Sequence, residues 1–364
     1  MFLRSFTALA MASGIFCASA HAAGELTVLN WSDYIAPDTI ERFEKRYDIK
    51  VTYAVMDSNE MLEARLMAGH SGYDVIVPSL HVLKRLADAG LLMELNKSRL
   101  PNFKHLDTAK LAKISRADPD NRFGIPYLEL STGLALNLKK VKEVLGPDAP
   151  LDSWDLLFKP EYVSKLSQCG VTVLDSPSDM LCTALIYLNL NPESTARGDY
   201  TKAGKLLESV MPYITYIHSS RYGEDLAAGE ICAAVAWSGD AQLASQKAKS
   251  AGLDPITYVI PKEGALTGYD MLAIPKDAPH PENAHLFLNY LMEPEIIAEI
   301  TNYIRYANAN AEATPLVDAE IRDNPGIYYP ADTLERMHIV IPPPKVERIL
   351  TRVWNNVRVN AGED

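Results

Sequence analysis

The chain has 364 residues and carries 35 basic against 47 acidic side chains, for a net charge of −12 at neutral pH. This acidic balance disfavours nucleic acid and anionic membranes as partners and favours capture of cations, although solubility alone would also account for it. A chain of this length exceeds what one hydrophobic core usually supports, so two lobes are expected.

The first 22 residues have the features of an export signal. Arg4 gives a positive start, residues 6–20 are apolar but too short to span a bilayer, and Ala20-His21-Ala22 offers a cleavage site between small residues. The residues before Cys17 are too bulky for a lipoprotein signal. The sequence therefore predicts a cleaved signal peptide at residues 1–22 and a mature protein in the periplasm.

The N-terminal third alternates strands with helices. Hydrophobic periodicity predicts strands at residues 26–31, 49–55 and 74–77 and helices at residues 37–47 and 57–67. Asp57 and Glu60 have the spacing of a capping box, which would begin the second helix. A βαβαβ order predicts a parallel sheet that is buried on both faces.

Ligands of open parallel sheets bind beyond the carboxyl ends of the strands. In the N-terminal third those ends carry residues 30–34 and 78–81, so both segments are expected to face one crevice. A second set of strands, at residues 171–174 and 231–236, ends in residues 175–179 and 237–240. Residues 175–179 are predicted to cap a helix that begins at Met180. Strand ends in both sets therefore deliver aromatic rings and carboxylates.

Two further apolar strands, at residues 132–138 and 269–274, are interpreted as lying near the crossings between lobes. This interpretation assigns four ranges to two lobes. The N-terminal lobe is predicted to contain residues 23–131 and 255–305, and the C-terminal lobe residues 132–254 and 306–364.

The sequence contains no motif of a known catalytic or nucleotide-binding site. It has no P-loop, no dinucleotide-binding glycine motif after a strand, no nucleophile elbow and no zinc-protease motif. Its eight histidines lack the spacing of metal ligands, so no metal or other cofactor is expected. A carboxylate pair for glycoside hydrolysis stays open, but no pair stands out. The sequence favours a binding protein over an enzyme.

Aromatic and acidic residues recur together at the predicted strand ends, as Trp31 with Asp33 and Trp237 with Asp240. Carboxylates pair with ammonium groups, and aromatic faces cover methylene chains and attract cations. Singly, each tryptophan could belong to the core and each aspartate could cap a helix. Their recurrence at one topological place favours a site for a flexible cationic chain.

Eight segments carry a resemblance to a known family: residues 30–39 (NWSDYIAPDT), 57–60 (DSNE), 77–79 (VPS), 152–155 (DSWD), 218–220 (HSS), 237–240 (WSGD), 260–265 (IPKEGA) and 306–310 (YANAN). In them, and over essentially the whole mature chain, the sequence resembles the periplasmic putrescine/spermidine-binding proteins. The resemblance implies the type II periplasmic binding protein fold, in which hinge strands join two α/β lobes and the ligand cleft lies between them.

The resemblance also implies a function. The protein would be a monomer that captures a polyamine and delivers it to the permease of an ABC importer, with Asp240 and Asp270 as the main partners of the ammonium groups. The implied ligand contacts are Trp31, Ser32, Asp33, Tyr34, Ser79, Asp179, Trp237, Asp240, Asp270 and Tyr306. The alternative is a sensor subunit that reports a cationic solute to a membrane receptor.

At three places the sequence differs from the family pattern, and these differences bear on which polyamine is preferred. Asp179 stands where relatives often carry Glu, Gly268 where they often carry Phe or Trp, and Leu128-Glu129 replaces a Met-Trp pair. Gly268 has two interpretations: it removes a wall of the site, or it allows a positive φ.

Three cysteines follow the predicted signal peptide, so one disulfide and one free thiol are expected. Cys182 lies in an apolar run that is typical of a buried helix face. The resemblance implies that Cys169 and Cys232 are bonded to each other and that Cys182 is free.

Overall fold

The computed structural model describes residues 24–360, so the predicted signal peptide lies outside the described residues. In this range the strands are β1 (Gly24–Trp31), β2 (Ile49–Met56), β3 (Val75–Ile76), β4 (Gly124–Leu136), β5 (Val171–Val173), β6 (Tyr216–Ile217), β7 (Ala233–Trp237), β8 (Thr257–Val259), β9 (Ala265–Ala273), β10 (Ala307–Asn308) and β11 (Met337–His338). The helices are α1 (Thr39–Tyr47), α2 (Asn59–Met67), α3 (Leu80–Asp88), α4 (Thr108–Ile114), α5 (Leu138–Leu145), α6 (Asp155–Phe158), α7 (Pro160–Leu166), α8 (Pro177–Tyr187), α9 (Arg197–Val210), α10 (Tyr222–Ala228), α11 (Ser238–Ser250), α12 (Pro281–Leu291), α13 (Pro294–Ile304), α14 (Ala319–Arg322), α15 (Ala331–Leu334) and α16 (Pro344–Asn360).

The strands follow the order β2-β1-β3-β9-β4-β7-β5-β6. At one end β1 pairs in parallel with β2 and β3, and at the other end β5 pairs in parallel with β6 and β7. Between these sets β4 and β9 run antiparallel to each other. The predicted βαβαβ order and the type II periplasmic binding protein fold are both confirmed.

Strands β4 and β9 connect the two halves of the molecule. The first part of β4 pairs with β9 and, at Leu128 and Glu129, with β10, whereas Thr132–Leu136 pairs with β7. Both strands begin earlier than predicted, β4 by eight residues and β9 by four. Pro126, at a shift in register within β4, and Gly268, inside β9, weaken the strand pattern there, which explains the late predicted starts.

Two helix starts also differ from the sequence prediction. Ser58, not Asp57, caps α2, since its Oγ accepts the Met61 N–H at 3.2 Å. Helix α8 begins at Pro177 instead of Met180, with Ser176 as its cap. Proline suits this position because the first helical N–H has no partner within the helix.

The apolar side chains form separate cores for the two halves. Around β1, Val28 packs on one face of the sheet and Leu29 on the other, both essentially unexposed, so the parallel sheet is buried on both faces. The second core surrounds β5 and β7 and includes the last helix, α16. The predicted lobe boundaries stay a prediction. In the structure, side chains of residues 306–327 pack in the core of the first half, around β1.

The disulfide prediction is confirmed. Cys169 and Cys232 are bonded, with their Cα atoms 5.5 Å apart, and Cys182 is a free, fully buried cysteine on α8. The bond ties Cys169, three residues after the end of α7, to Cys232, the residue before β7, inside the second half of the molecule. Within residues 24–360, no helix combines the length and apolar character needed to cross a membrane.

Candidate functional site

A cavity of about 340 Å³ lies between the two halves, against the connecting strands β4 and β9. Its walls come from the carboxyl ends of strands in both halves, as the sequence predicted. The structure brings all ten predicted contact residues to this cavity: Trp31, Ser32, Asp33, Tyr34, Ser79, Asp179, Trp237, Asp240, Asp270 and Tyr306.

Asp270, on β9, is the most deeply buried of the cavity's acids, with 4% of its surface exposed. Its carboxylate accepts hydrogen bonds from the Tyr34 hydroxyl and the Ser79 hydroxyl, each at 2.8 Å. The Asn59 side chain donates to Ser79 Oγ at 3.1 Å and so holds that serine in place. Burial raises the pKa of Asp270 to about 6, although the two hydroxyl donors favour the charged form.

Asp240 lies in the first turn of α11. The Tyr306 hydroxyl donates to its Oδ1 at 2.6 Å, and the Tyr222 hydroxyl donates to its Oδ2 at 2.7 Å. Burial again raises the pKa of this carboxyl, against the effect of the two donors. The Tyr306 ring can approach because Gly239 has no side chain: a Cβ there would lie 2.1 Å from the ring.

Asp179, on α8, is the third carboxylate of the cavity. Ser176 Oγ donates to its Oδ2 at 2.5 Å, and the Thr132 hydroxyl of β4 donates to its Oδ1. The pKa of Asp179 is raised by burial, as for the other two acids. Within residues 24–360, none of the three carboxylates forms an ion pair with a basic side chain. Such a site favours a positively charged ligand, because a buried anion without a cation is costly.

Aromatic residues complete the cavity. Trp31 and Trp237 are half-buried and are the last residues of β1 and β7, in opposite halves. Tyr34 packs edge-on against Tyr306, with 5.2 Å between the ring centroids. Aromatic faces of this kind attract cations and cover methylene groups.

The structure decides between the two interpretations of Gly268. Its backbone is not in the left-handed region, so the interpretation that glycine is needed for a positive φ is wrong. A Cβ at this position would meet nothing within 4 Å, and Gly268 lines the cavity. The space that a larger side chain would fill is therefore open to the cavity.

Glu129, the other departure of interest, does not line the cavity. It accepts hydrogen bonds from Lys110 Nζ at 2.5 Å and from the Tyr269 hydroxyl at 3.0 Å, and only 5% of its surface is exposed. Alternation along β4 places Leu130 and Thr132 towards the cavity and Glu129 on the opposite face. Its charge therefore belongs to the hinge region.

Sequence reasoning missed several residues that hold the acids, above all Tyr222, Thr132 and Asn59. Tyr222 lies on α10, 18 residues before Asp240, and reaches it only through the packing of α10 against α11. No local pattern predicts such a contact. Asn59 was within reach, because it lies in a segment that carries the family resemblance. Within residues 24–360 there is no group of three side chains that could hold a metal ion.

Two α/β halves, hinge strands between them and a cavity lined by carboxylates and aromatic rings define a solute-binding protein. The sequence matches the family model of bacterial extracellular solute-binding proteins over residues 38–328. The chain belongs to this family. It is a family of binding proteins and not of enzymes, which confirms the expectation from the sequence.

Curated relatives cover nearly the whole chain. It is 49% identical over 337 residues to the putrescine-binding periplasmic protein PotF of Escherichia coli, covering 92% of this chain and 91% of the relative. It is 48% identical over 335 residues to the putrescine-binding periplasmic protein SpuD of Pseudomonas aeruginosa, with the same coverage. The solved structure of the spermidine/putrescine ABC transporter substrate-binding protein PotD of Streptococcus pneumoniae is 23% identical. It matches with a TM-score of 0.77 over 93% of this chain and 99% of that one, a likeness that concerns the fold.

Proposed function

We propose that this protein captures a polyamine in the periplasm and delivers it to the permease of an ABC importer. Residues 1–22 would be its export signal, and it would act as a monomer. The ten predicted contact residues would bind the ligand, with Asp240 and Asp270 each pairing with an ammonium group. The two relatives reported above, named for putrescine binding, support a ligand of this class.

One observation carries the proposal. Three carboxylates line the cavity, Asp270 buried and Asp179 and Asp240 half-buried, and within residues 24–360 each is held by two side-chain hydroxyl donors and by no basic side chain. Hydroxyl donors orient a carboxylate without neutralising it, so each acid keeps its charge for a ligand. Aromatic rings between the acids suit the methylene chain of a diamine. A sugar or an anionic solute would leave these charges unpaired.

The experiment is calorimetry and thermal unfolding with a panel of putrescine, cadaverine, spermidine, agmatine and 1,4-butanediol. Butanediol has the chain of putrescine but no charge, so it separates ammonium pairing from simple filling of the cavity. A ligand at 100 times its dissociation constant stabilises the folded state by about 2.7 kcal/mol. We expect stabilisation by at least one amine and none by the diol. If no amine binds, the proposed ligand class is wrong.

A matched pair of variants tests the site itself. Asp240→Asn should weaken amine binding at least tenfold, because an ammonium would lose its carboxylate. Asp323→Asn, at an exposed position outside the cavity, should leave binding unchanged. Equal affinities of the two variants would contradict the proposed contacts.

Import is tested in cells. A strain that lacks the gene should lose uptake of labelled ligand and regain it when the full chain is supplied. The alternative, a sensor subunit, predicts unchanged uptake and a lost transcriptional response to the same amine.

A further inference from the structure

The charges that line the cavity are unequally distributed. Acidic side chains are numerous, whereas Lys247 is the one lining residue within 24–360 that is positively charged at neutral pH. His81 also lines the cavity, but burial and the neighbouring Arg85 lower its pKa to about 3, so its ring is neutral. A lysine in a cavity that favours cations calls for a physical explanation.

Lys247 lies near the outer end of the cavity on the Asp240 side. Both residues belong to α11, and seven positions bring them to the same face, roughly 10 Å apart along the axis. Leu243 and Ala244, between them, line the cavity as well. Lys247 Nζ donates to Glu224 on α10, and the two side chains are 56% and 71% exposed. The pair therefore stands at the mouth, in contact with solvent.

Among the described residues, no basic side chain lines the Asp270 side of the cavity. Asn59 and Ser79 connect Asp270 to the start of α2, where Asp57 and Glu60 line the cavity. The wall at Gly268 is open. Lys247 would therefore repel an ammonium group of a ligand that extends beyond Asp240, whereas the lining beyond Asp270 would not repel one.

We infer that Lys247 sets the specificity among polyamines by disfavouring an additional ammonium group beyond Asp240. Its charge repels such a group, and its ion pair with Glu224 occupies the carboxylate that could otherwise bind it. This inference rests on the proposed function. A diamine spans Asp240 and Asp270 without approaching Lys247. A triamine extends past Asp270, whereas a tetraamine must place charge at both ends and meets the lysine.

The test is calorimetry of Lys247→Gln with putrescine, spermidine and spermine. Removing this unit charge from the mouth of the cavity should improve spermine affinity relative to putrescine on the order of fivefold at low salt. Added salt should reduce the gain, because both groups are accessible to solvent. Lys247→Arg keeps the charge and should retain the wild-type ranking. Lys249→Gln, on the same helix but outside the cavity, is the matched control.

A steric role is separated by N,N′-dipropylputrescine, which has nearly the length of spermine but only two charges. If Lys247→Gln improves this ligand as much as spermine, bulk and not charge is the cause, and the inference is wrong. An unchanged ranking in Lys247→Gln would overturn it too, while leaving polyamine capture intact. Failure of wild-type protein to bind any amine would instead contradict the proposed function.

Discussion

The substitution Asp270→Asn separates the contribution of Asp270 to ligand affinity from its effect on the stability of the ligand-free protein. The carboxylate is 4% exposed, and its two hydroxyl donors do not offset the loss of solvation, which raises its pKa from 3.8 to about 6. The folded protein therefore binds this proton more tightly than the unfolded chain does. The contribution to stability is fully present below about pH 4 and is lost as the pH rises through 6.

The magnitude follows from the shift. A difference of about 2 pKa units corresponds to roughly 3 kcal/mol between protonated and ionised Asp270, at 1.36 kcal/mol per unit. Asparagine is neutral, keeps an acceptor for Tyr34 and offers Ser79 an amide donor in place of an acceptor, a mismatch that costs about 1 kcal/mol. Asp270→Asn should thus stabilise the free protein by about 1–2 kcal/mol at pH 8 and not at pH 4, while weakening polyamine binding at least tenfold.

Urea unfolding of both proteins at pH 4, 6 and 8, without ligand, measures the first effect, and calorimetry at pH 8 measures the second. Wild-type binding should also weaken as the pH falls through 6, because protonated Asp270 no longer pairs with an ammonium group. Asp323→Asn, on the surface, controls for a general change in net charge. A variant that is less stable than wild type at pH 8 and equal at pH 4 would refute the reasoning.

Three further predictions concern backbone and packing. Gly268→Phe should fold normally and shift the preference towards shorter amines by about 1–2 kcal/mol in calorimetry, because the new ring fills open space. An unaltered ranking of the ligands would contradict this prediction. Gly239→Ala should lose affinity and lower the melting temperature, since its Cβ would overlap a tyrosine ring, whereas Gly198→Ala, with nothing within 4 Å, should do neither. Converting both Cys169 and Cys232 to Ser should lower the free energy of unfolding by about 2–4 kcal/mol; a smaller loss in urea titrations would show that the bond is dispensable.

The positions of the site residues were largely predictable from the sequence, for a topological reason. Trp31 ends β1 and Ser79 follows β3, two strands of one parallel set, and Trp237 ends β7 in the other set. Carboxyl ends of parallel strands meet at one edge of a sheet, so recognising the strands was enough to bring these residues together. The family resemblance added Asp270 and Tyr306, which no strand-end argument would have placed.

The partners of the acids were not predictable. Tyr222 approaches Asp240 because two helices pack together, and Thr132 approaches Asp179 because β4 extends across both halves. These contacts depend on tertiary distances that hydrophobic periodicity does not encode. Residues 306–327 illustrate the same limit of periodicity: their apolar pattern fits either core, and only packing assigns their side chains to the core of the first half.

One pair of tyrosines connects the two ends of the cavity. Tyr34 donates to Asp270, Tyr306 donates to Asp240, and the two rings pack edge-on at 5.2 Å. A shift of either ring would move a hydroxyl away from its carboxylate, so the positions of the two acids are linked through apolar contact. If each acid pairs with one ammonium group of a diamine, as proposed, the ring pair relates the spacing of the acids to the length of the ligand. Gly239 is required for the same arrangement, because only a residue without a side chain lets Tyr306 lie close enough to α11 to reach Asp240.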